Sequence, residues 1–220
     1  MNHNINHYTL LADVFEYPAC DYLQKVAAAQ QFLDLHYPEA SELLQPFTDN
    51  MAMMDTLQHQ ELFVRSFDVQ ALTTLDLGYV LFGDDYKRGE LLVNLNREHR
   101  EVQNDCGTEL SDYLANVLRL LPKMSDKSLL HELVEKIISP ALSRMIRTFE
   151  PDQVAMKDKF DEGKYKTIIE RPIVDYTIFR RSLKALQSVL RHDFEIIEKE
   201  PEEKTSDFLQ NIRNEVKLEG

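Results

Sequence analysis

Apolar residues recur at helical spacing along nearly the whole chain, and this periodicity constrains the fold more than any other feature. Tyr8, Leu11, Ala12 and Phe15 fall on one side of a helix at three- and four-residue spacing, as do Leu23, Val26, Ala27, Gln30 and Leu33. Leu, Ala, Glu, Lys and Gln outweigh β-branched residues in these segments, which favours helix over strand. The pattern predicts an all-α, single-domain helical bundle over residues 1–199, followed by an acidic C-terminal tail, 200–220, with one short amphipathic helix marked by Phe208, Leu209, Ile212 and Val216. At 220 residues, with six Gly and eight Pro, the chain is long enough to bury a core without disulfide or metal support.

Helix boundaries follow from local chemistry. A first helix stops near Tyr17-Pro18, because the residue before Pro is pushed out of the α region. Asp21 is expected to cap a second, running toward Tyr37-Pro38. Phe47, Met51, Met54, Gln58, Leu62 and Phe63 mark one long third helix ending near Phe67-Asp68, its methionines serving as core filler. Leu75 to Phe82 reads as a short buried helix and Tyr86 to Val102 as a longer one, closed by the turn at 104–107. Ser111 or Asp112 is the expected cap of a helix through Leu121, and Ser125 of the next, with a kink or break at Pro140. Glu150 to Gly163 reads as a polar, mobile loop, 164–170 as a turn or two, and Tyr176 to Ile197 as the last bundle helix.

Charge is unevenly distributed. The net charge is −13, and residues 1–64 hold nine acids against the single base Lys25. Residues 65–112 hold ten acids and five bases, whereas residues 113–191 reverse the balance with fifteen bases against ten acids. An acidic N-terminal half repels a phosphate backbone and an anionic membrane, so neither nucleic acid nor membrane insertion is expected, and it attracts a cationic partner. No apolar run reaches the length of a membrane span, and Met1 to Asn6 lacks the basic and apolar regions of a secretory signal. Cys20 and Cys106 are far apart with no C-x-x-C pair, which predicts free thiols and a cytoplasmic location.

Catalytic spacing is missing. His131-Glu132-Leu133-Val134-Glu135 begins like a zincin helix but puts Glu135 where the second imidazole belongs. No histidine has Glu three positions before it, as a di-iron bundle requires. Gly78 and Gly83 have phosphate-loop spacing, yet Asp84-Asp85 follow where Lys-Ser/Thr would bind phosphate. The chain is therefore expected to be neither an enzyme nor the holder of a metal or cofactor.

One stretch is more specific. Glu61-Leu62-Phe63-Val64-Arg65-Ser66-Phe67-Asp68 is followed by Gly83-Asp84-Asp85-Tyr86-Lys87-Arg88-Gly89-Glu90-Leu91-Leu92, then by Glu109-Leu110-Ser111-Asp112-Tyr113-Leu114. This order and spacing resembles the nitrate reductase molybdenum-cofactor assembly chaperones (delta-subunit, NarJ type), within the class of redox enzyme maturation proteins that includes the TorD type. The family's Phe-Asp falls on Phe67-Asp68, its Gly-acid-x-x-x-Arg-Gly on Gly83, Asp84, Arg88 and Gly89, and its Glu-Leu-Pro-Asp-His on Glu109 to Tyr113. The departures are Val80 and Phe82 at two family histidines, Val69-Gln70 at an Arg-Gly, and Ser111-Asp112-Tyr113 at the Pro-Asp-His.

The resemblance implies a non-catalytic, cytoplasmic chaperone. Its partners would be the basic N-terminal peptide of a molybdoenzyme catalytic subunit and the cofactor-insertion machinery. The expected peptide-binding residues are the charged Asp68, Asp84, Asp85, Arg88, Glu109 and Asp112 and the aromatic Phe63, Phe67, Tyr79, Tyr86 and Tyr113. Apolar anchors would fill a groove while carboxylates at its edge select Arg and Lys. The alternative is a helical adaptor bridging two protein partners.

Overall fold

A computed structural model describes residues 5–69, 71–150 and 176–196, and every regular element among them is helical. In chain order these are α1 (His7–Asp13), α2 (Tyr22–His36), α3 (Pro38–Ala52), α4 (Thr56–Phe67), α5 (Leu77–Phe82), α6 (Tyr86–Glu101), α7 (Leu114–Leu120), α8 (Lys127–Leu133), α9 (Ser139–Thr148) and α10 (Phe179–Phe194). Short 3-10 turns follow α7 (Leu121–Lys123) and precede α10 (Tyr176–Ile178), and a π turn (Val134–Ile138) joins α8 to α9. The expected loop after Glu150, the turn at 164–170 and the tail fall outside the described residues.

Two helix starts and one turn show how local chemistry places the elements. The Asp55 side chain accepts the Gln58 N–H at 2.9 Å while the Gln58 side chain accepts the Asp55 N–H, a reciprocal box that starts α4. This box divides the single long helix expected from the sequence, so α3 ends at Ala52 and α4 begins afresh. α3 itself starts at Pro38, whose missing N–H costs nothing in a first turn. Gly83, at φ +59°, closes α5 in a conformation that L side chains rarely adopt and so turns the chain into α6.

Other caps differ from expectation. Asp21 makes no capping bond and pairs instead with Lys25 one turn on, at 3.0 Å. Asp126, rather than Ser125, caps α8 by accepting from the Ser128 and Leu129 N–H groups. Pro140 does not break its helix. The wider π turn ahead of it places Pro140 in the first turn of α9, where its absent N–H is tolerated.

The buried side chains form one continuous cluster. α3 packs on α2 and α10, α1 on α2 and α7, and α9 on α5 and α10. Two polar ties fasten α1. Arg119 of α7 pairs with Asp13 and Glu16, and Asp193 of α10 accepts hydrogen bonds from Tyr8 and Tyr37 and pairs with His7 at 2.8 Å. Among the described residues no helix is long and apolar enough to cross a membrane.

Candidate functional site: an acidic cleft with an aromatic floor

The site begins with the amphipathic face of α4. Phe63 and Phe67 lie one turn apart, both buried, and Asp68 follows directly in solvent. Behind them stands Phe179 of α10, with ring centroids 5.9 Å from Phe63 and 4.7 Å from Phe67. In front, Tyr17 meets Phe63 edge-on at 5.8 Å and is 56% exposed.

The opposite wall comes from two segments that pair. Asp76 and Tyr113 form a single antiparallel bridge, in which the Leu77 N–H donates to the Asp112 carbonyl at 2.9 Å and the Leu114 N–H to the Leu75 carbonyl at 2.8 Å. The Tyr113 hydroxyl donates to the Phe15 carbonyl at 2.9 Å, which ties this wall to the chain leaving α1. Between the walls lies a cleft of about 490 Å³. Glu16, Asp68, Asp76 and Glu109 line it with Phe63, Phe67, Leu75 and Tyr113, and no Lys or Arg does.

Two groups of the cleft are shifted first by burial and then by the neighbouring acids. Burial, then the Asp112 and Glu109 charges, raise the Asp76 carboxyl above its ordinary value despite Arg88. Burial, then Glu109, Glu16 and Asp76, push the Tyr113 phenol upward as well. Arg119 engages Glu16 and Arg88 engages Asp76, but Asp68 and Glu109 make no ion pair among the described residues. A cation entering between these two would add attraction without displacing a partner.

Of the residues expected from the sequence, Phe63, Phe67, Asp68, Glu109 and Tyr113 meet in the cleft. The others do not line it. Asp84, Asp85 and Tyr86 sit in the exposed α5–α6 turn, where Asp85 caps α6 by accepting the Lys87 N–H at 2.9 Å. Tyr79 is half-exposed beneath the Arg88 guanidinium, 5.2 Å from its ring centroid. Arg88 bridges Asp76 at 3.0 Å and Asp112 at 3.4 Å. Asp112 is wholly buried and accepts the Gly78 N–H at 3.1 Å, so it braces the wall from within and is not a carboxylate that a peptide could meet. A methyl group on Gly78 would come within 2.7 Å of that carboxylate, which explains glycine there.

The sequence reading missed Glu16, Tyr17, Asp76 and Asn116. Tyr17 was visible only as a helix terminator before Pro18, and Asp76 only as one acid among many.

The 104–113 loop, which forms the rim, hangs on His99. The imidazole Nε2–H donates to the Ser111 carbonyl at 3.0 Å, and Nδ1 accepts from the Asn104 amide at 2.9 Å. Asn104 also takes the Lys123 ammonium at 2.7 Å, while Asn116 donates to the Cys106 and Leu110 carbonyls. Burial lowers the His99 pKa below its ordinary 6.5, helped by Lys123 and opposed by the Ser111 bond. The unfolded chain therefore takes up this proton first. The loop's full stability is present above about pH 6.5 and is lost as pH falls through the lower folded value. Urea midpoints should fall between about pH 7 and pH 5.5, and fall less in His99→Gln; parallel profiles for both proteins would contradict this assignment.

Fold and site thus define an all-α protein with a preformed cleft, anionic at its rim and aromatic at its floor. No family model matches the chain, and no curated protein matches it. Among the described residues, no group of three or more His, Cys, Asp or Glu is placed to hold a metal ion.

Proposed function

We propose that this chain is a non-catalytic chaperone that binds the basic N-terminal segment of a molybdoenzyme catalytic subunit of the nitrate reductase type and assists its cofactor insertion and assembly. One observation carries the reading. Phe63 and Phe67 of α4 and Asp68 just after it meet Glu109 and Tyr113 of a segment distant in sequence, and these belong to two of the three stretches on which the resemblance rests. The cleft suits a short amphipathic cationic peptide: apolar side chains on the aromatic floor, ammonium or guanidinium groups at Asp68 and Glu109.

The test is recovery of a partner from the native host. Immobilised full chain should retain one large molybdoenzyme subunit at low salt and less of it at about 0.5 M salt, where screening acts within a few ångströms. Asp68→Lys/Glu109→Lys should weaken retention at least about tenfold with unchanged folding, because like charges then face the peptide. Recovery of no such subunit at either salt would rule the reading out.

A further inference from the structure

One acid of the cleft differs from the others in what stands behind it. Asp76 lines the wall just before α5, and its Oδ2 accepts from the Arg88 guanidinium at 3.0 Å. The same guanidinium also serves Asp112 at 3.4 Å, so one cation answers two carboxylates and the wall keeps a net negative charge. Asp112 is wholly buried, and its Oδ1 finds no hydrogen-bond partner among the described residues.

Of this pair, Asp76 is the member that a ligand reaches. Its side chain is 25% exposed, and among the described residues its Oδ1 accepts no hydrogen bond. The backbone around it is fixed by the bridge to Tyr113 and by the Asp76 N–H, which donates to the Thr74 hydroxyl at 3.2 Å. A carboxylate held by one oxygen and open at the other is oriented before a ligand arrives, so little freedom is lost on binding. The charged and titratable groups around it are Arg88 of α6 and Glu109, Asp112 and Tyr113 of the facing segment, with Glu16 after α1 and Asp68 after α4 in the same cleft. Burial, then Asp112 and Glu109, outweigh Arg88, so the Asp76 carboxyl keeps its proton to a pH above its ordinary 3.8.

Resting on the reading of this cleft as the seat of a cationic peptide, we propose that Asp76 is a third anionic contact beside Asp68 and Glu109: its Oδ1 takes an Arg or Lys side chain of the bound peptide, and a protonated Asp76 passes its proton to solvent as that contact forms. Arg88 stays in place between Asp76 and Asp112, so no buried pair has to break. The incoming cation stabilises the ionised carboxyl and lowers the pH at which Asp76 titrates. Affinity is therefore complete above the value Asp76 has in the unliganded protein and falls as pH drops through it, because the peptide then meets a neutral acid. Asp68 and Glu109 supply attraction at the rim, and Asp76 makes the strength of the grip depend on pH.

The test uses the full chain and a synthetic amphipathic peptide of Arg and Leu, capped at both ends. Carbon NMR of the Asp76 carboxyl in the unmodified protein should show titration at a lower pH with the peptide bound than without it. Calorimetry from about pH 7.5 down to about pH 5 should show the affinity falling, with proton release that depends on buffer ionisation enthalpy. Asp76→Asn, which imitates the neutral acid, should bind about tenfold more weakly at about pH 7.5 and converge with the unmodified protein at the acid end. Protonation of His99 acts on both proteins alike, so their difference isolates Asp76. An Asp76 titration unmoved by the peptide, or an Asp76→Asn deficit of the same factor at every pH, would overturn the proposal and leave the cleft as a peptide site. No binding of the peptide at about pH 7.5 would overturn the cationic-peptide reading of the cleft, and this proposal with it.

Discussion

Asp193→Ala is expected to lower the free energy of unfolding by about 3–5 kcal/mol, a large share of the stability of any single fold. The carboxylate is only 8% exposed and gathers three elements. It accepts the Tyr8 hydroxyl of α1 at 2.9 Å and the Tyr37 hydroxyl between α2 and α3 at 2.7 Å, and it pairs with His7 of α1 at 2.8 Å. Alanine would leave the wholly buried Tyr8 hydroxyl and the nearly buried His7 ring without their acceptor, and each such loss costs about 1–3 kcal/mol.

Acid titration gives a second readout of the same group. Burial raises the Asp193 carboxyl, but hydrogen bonds from His7, Tyr37 and His192 outweigh it and hold the pKa at about 2 against an ordinary 3.8. Its contribution is therefore complete above 3.8 and disappears as pH falls toward 2. Chemical denaturation should show that the acid limb of the stability profile flattens in Asp193→Ala. A change under about 1 kcal/mol at neutral pH would mean that the three elements hold together without this clasp.

Phe179→Ala is expected to cost a similar amount, about 3–5 kcal/mol, and also to weaken the cleft. The ring is 1% exposed and lies between Phe47 of α3, at 5.0 Å, and Phe63 and Phe67 of α4. Truncation opens a cavity directly behind the floor, into which Phe63 and Phe67 relax, so the surface offered to an apolar anchor is lost. Phe179→Leu refills most of the volume and should recover all but about 1.5 kcal/mol. Denaturation midpoints for both variants, with partner retention measured under conditions where each is folded, separate the two effects. Full retention by a folded Phe179→Ala would show that the floor does not depend on this support.

Helices and their apolar faces were legible because they depend on neighbours within one or two turns. α2, α6 and α10 lie within a few residues of their expected bounds, and the stop after α1 precedes Pro18. The misplaced features involve competition between nearby side chains for one backbone group. Asp126 outcompetes Ser125, and the Asp55–Gln58 box interrupts a periodicity that continues across it.

Charge told half of the site. The acidic character of the N-terminal half was plain from the sequence, as was the grouping of Phe63, Phe67 and Asp68. Composition alone did not separate Asp112, sealed inside beside Arg88, from Glu109 three residues earlier, which stands free in solvent. Asp84 and Asp85 carry the same charge in a neighbouring motif, but the turn at Gly83 sends them elsewhere.

By itself, then, the order of residues determined an all-helical chain with anionic and cationic regions. Periodicity and charge are properties of short windows, and they survive without knowledge of what packs on what. Only the tertiary structure decided which carboxylates share a cleft, which one is buried as a brace, and that the end of α1 supplies Glu16 and Tyr17 to the site. Those assignments depend on how α1, α4 and the Asp76–Tyr113 bridge approach one another, and that approach is set by burial of Phe179, Phe63 and Phe67 across long sequence distances.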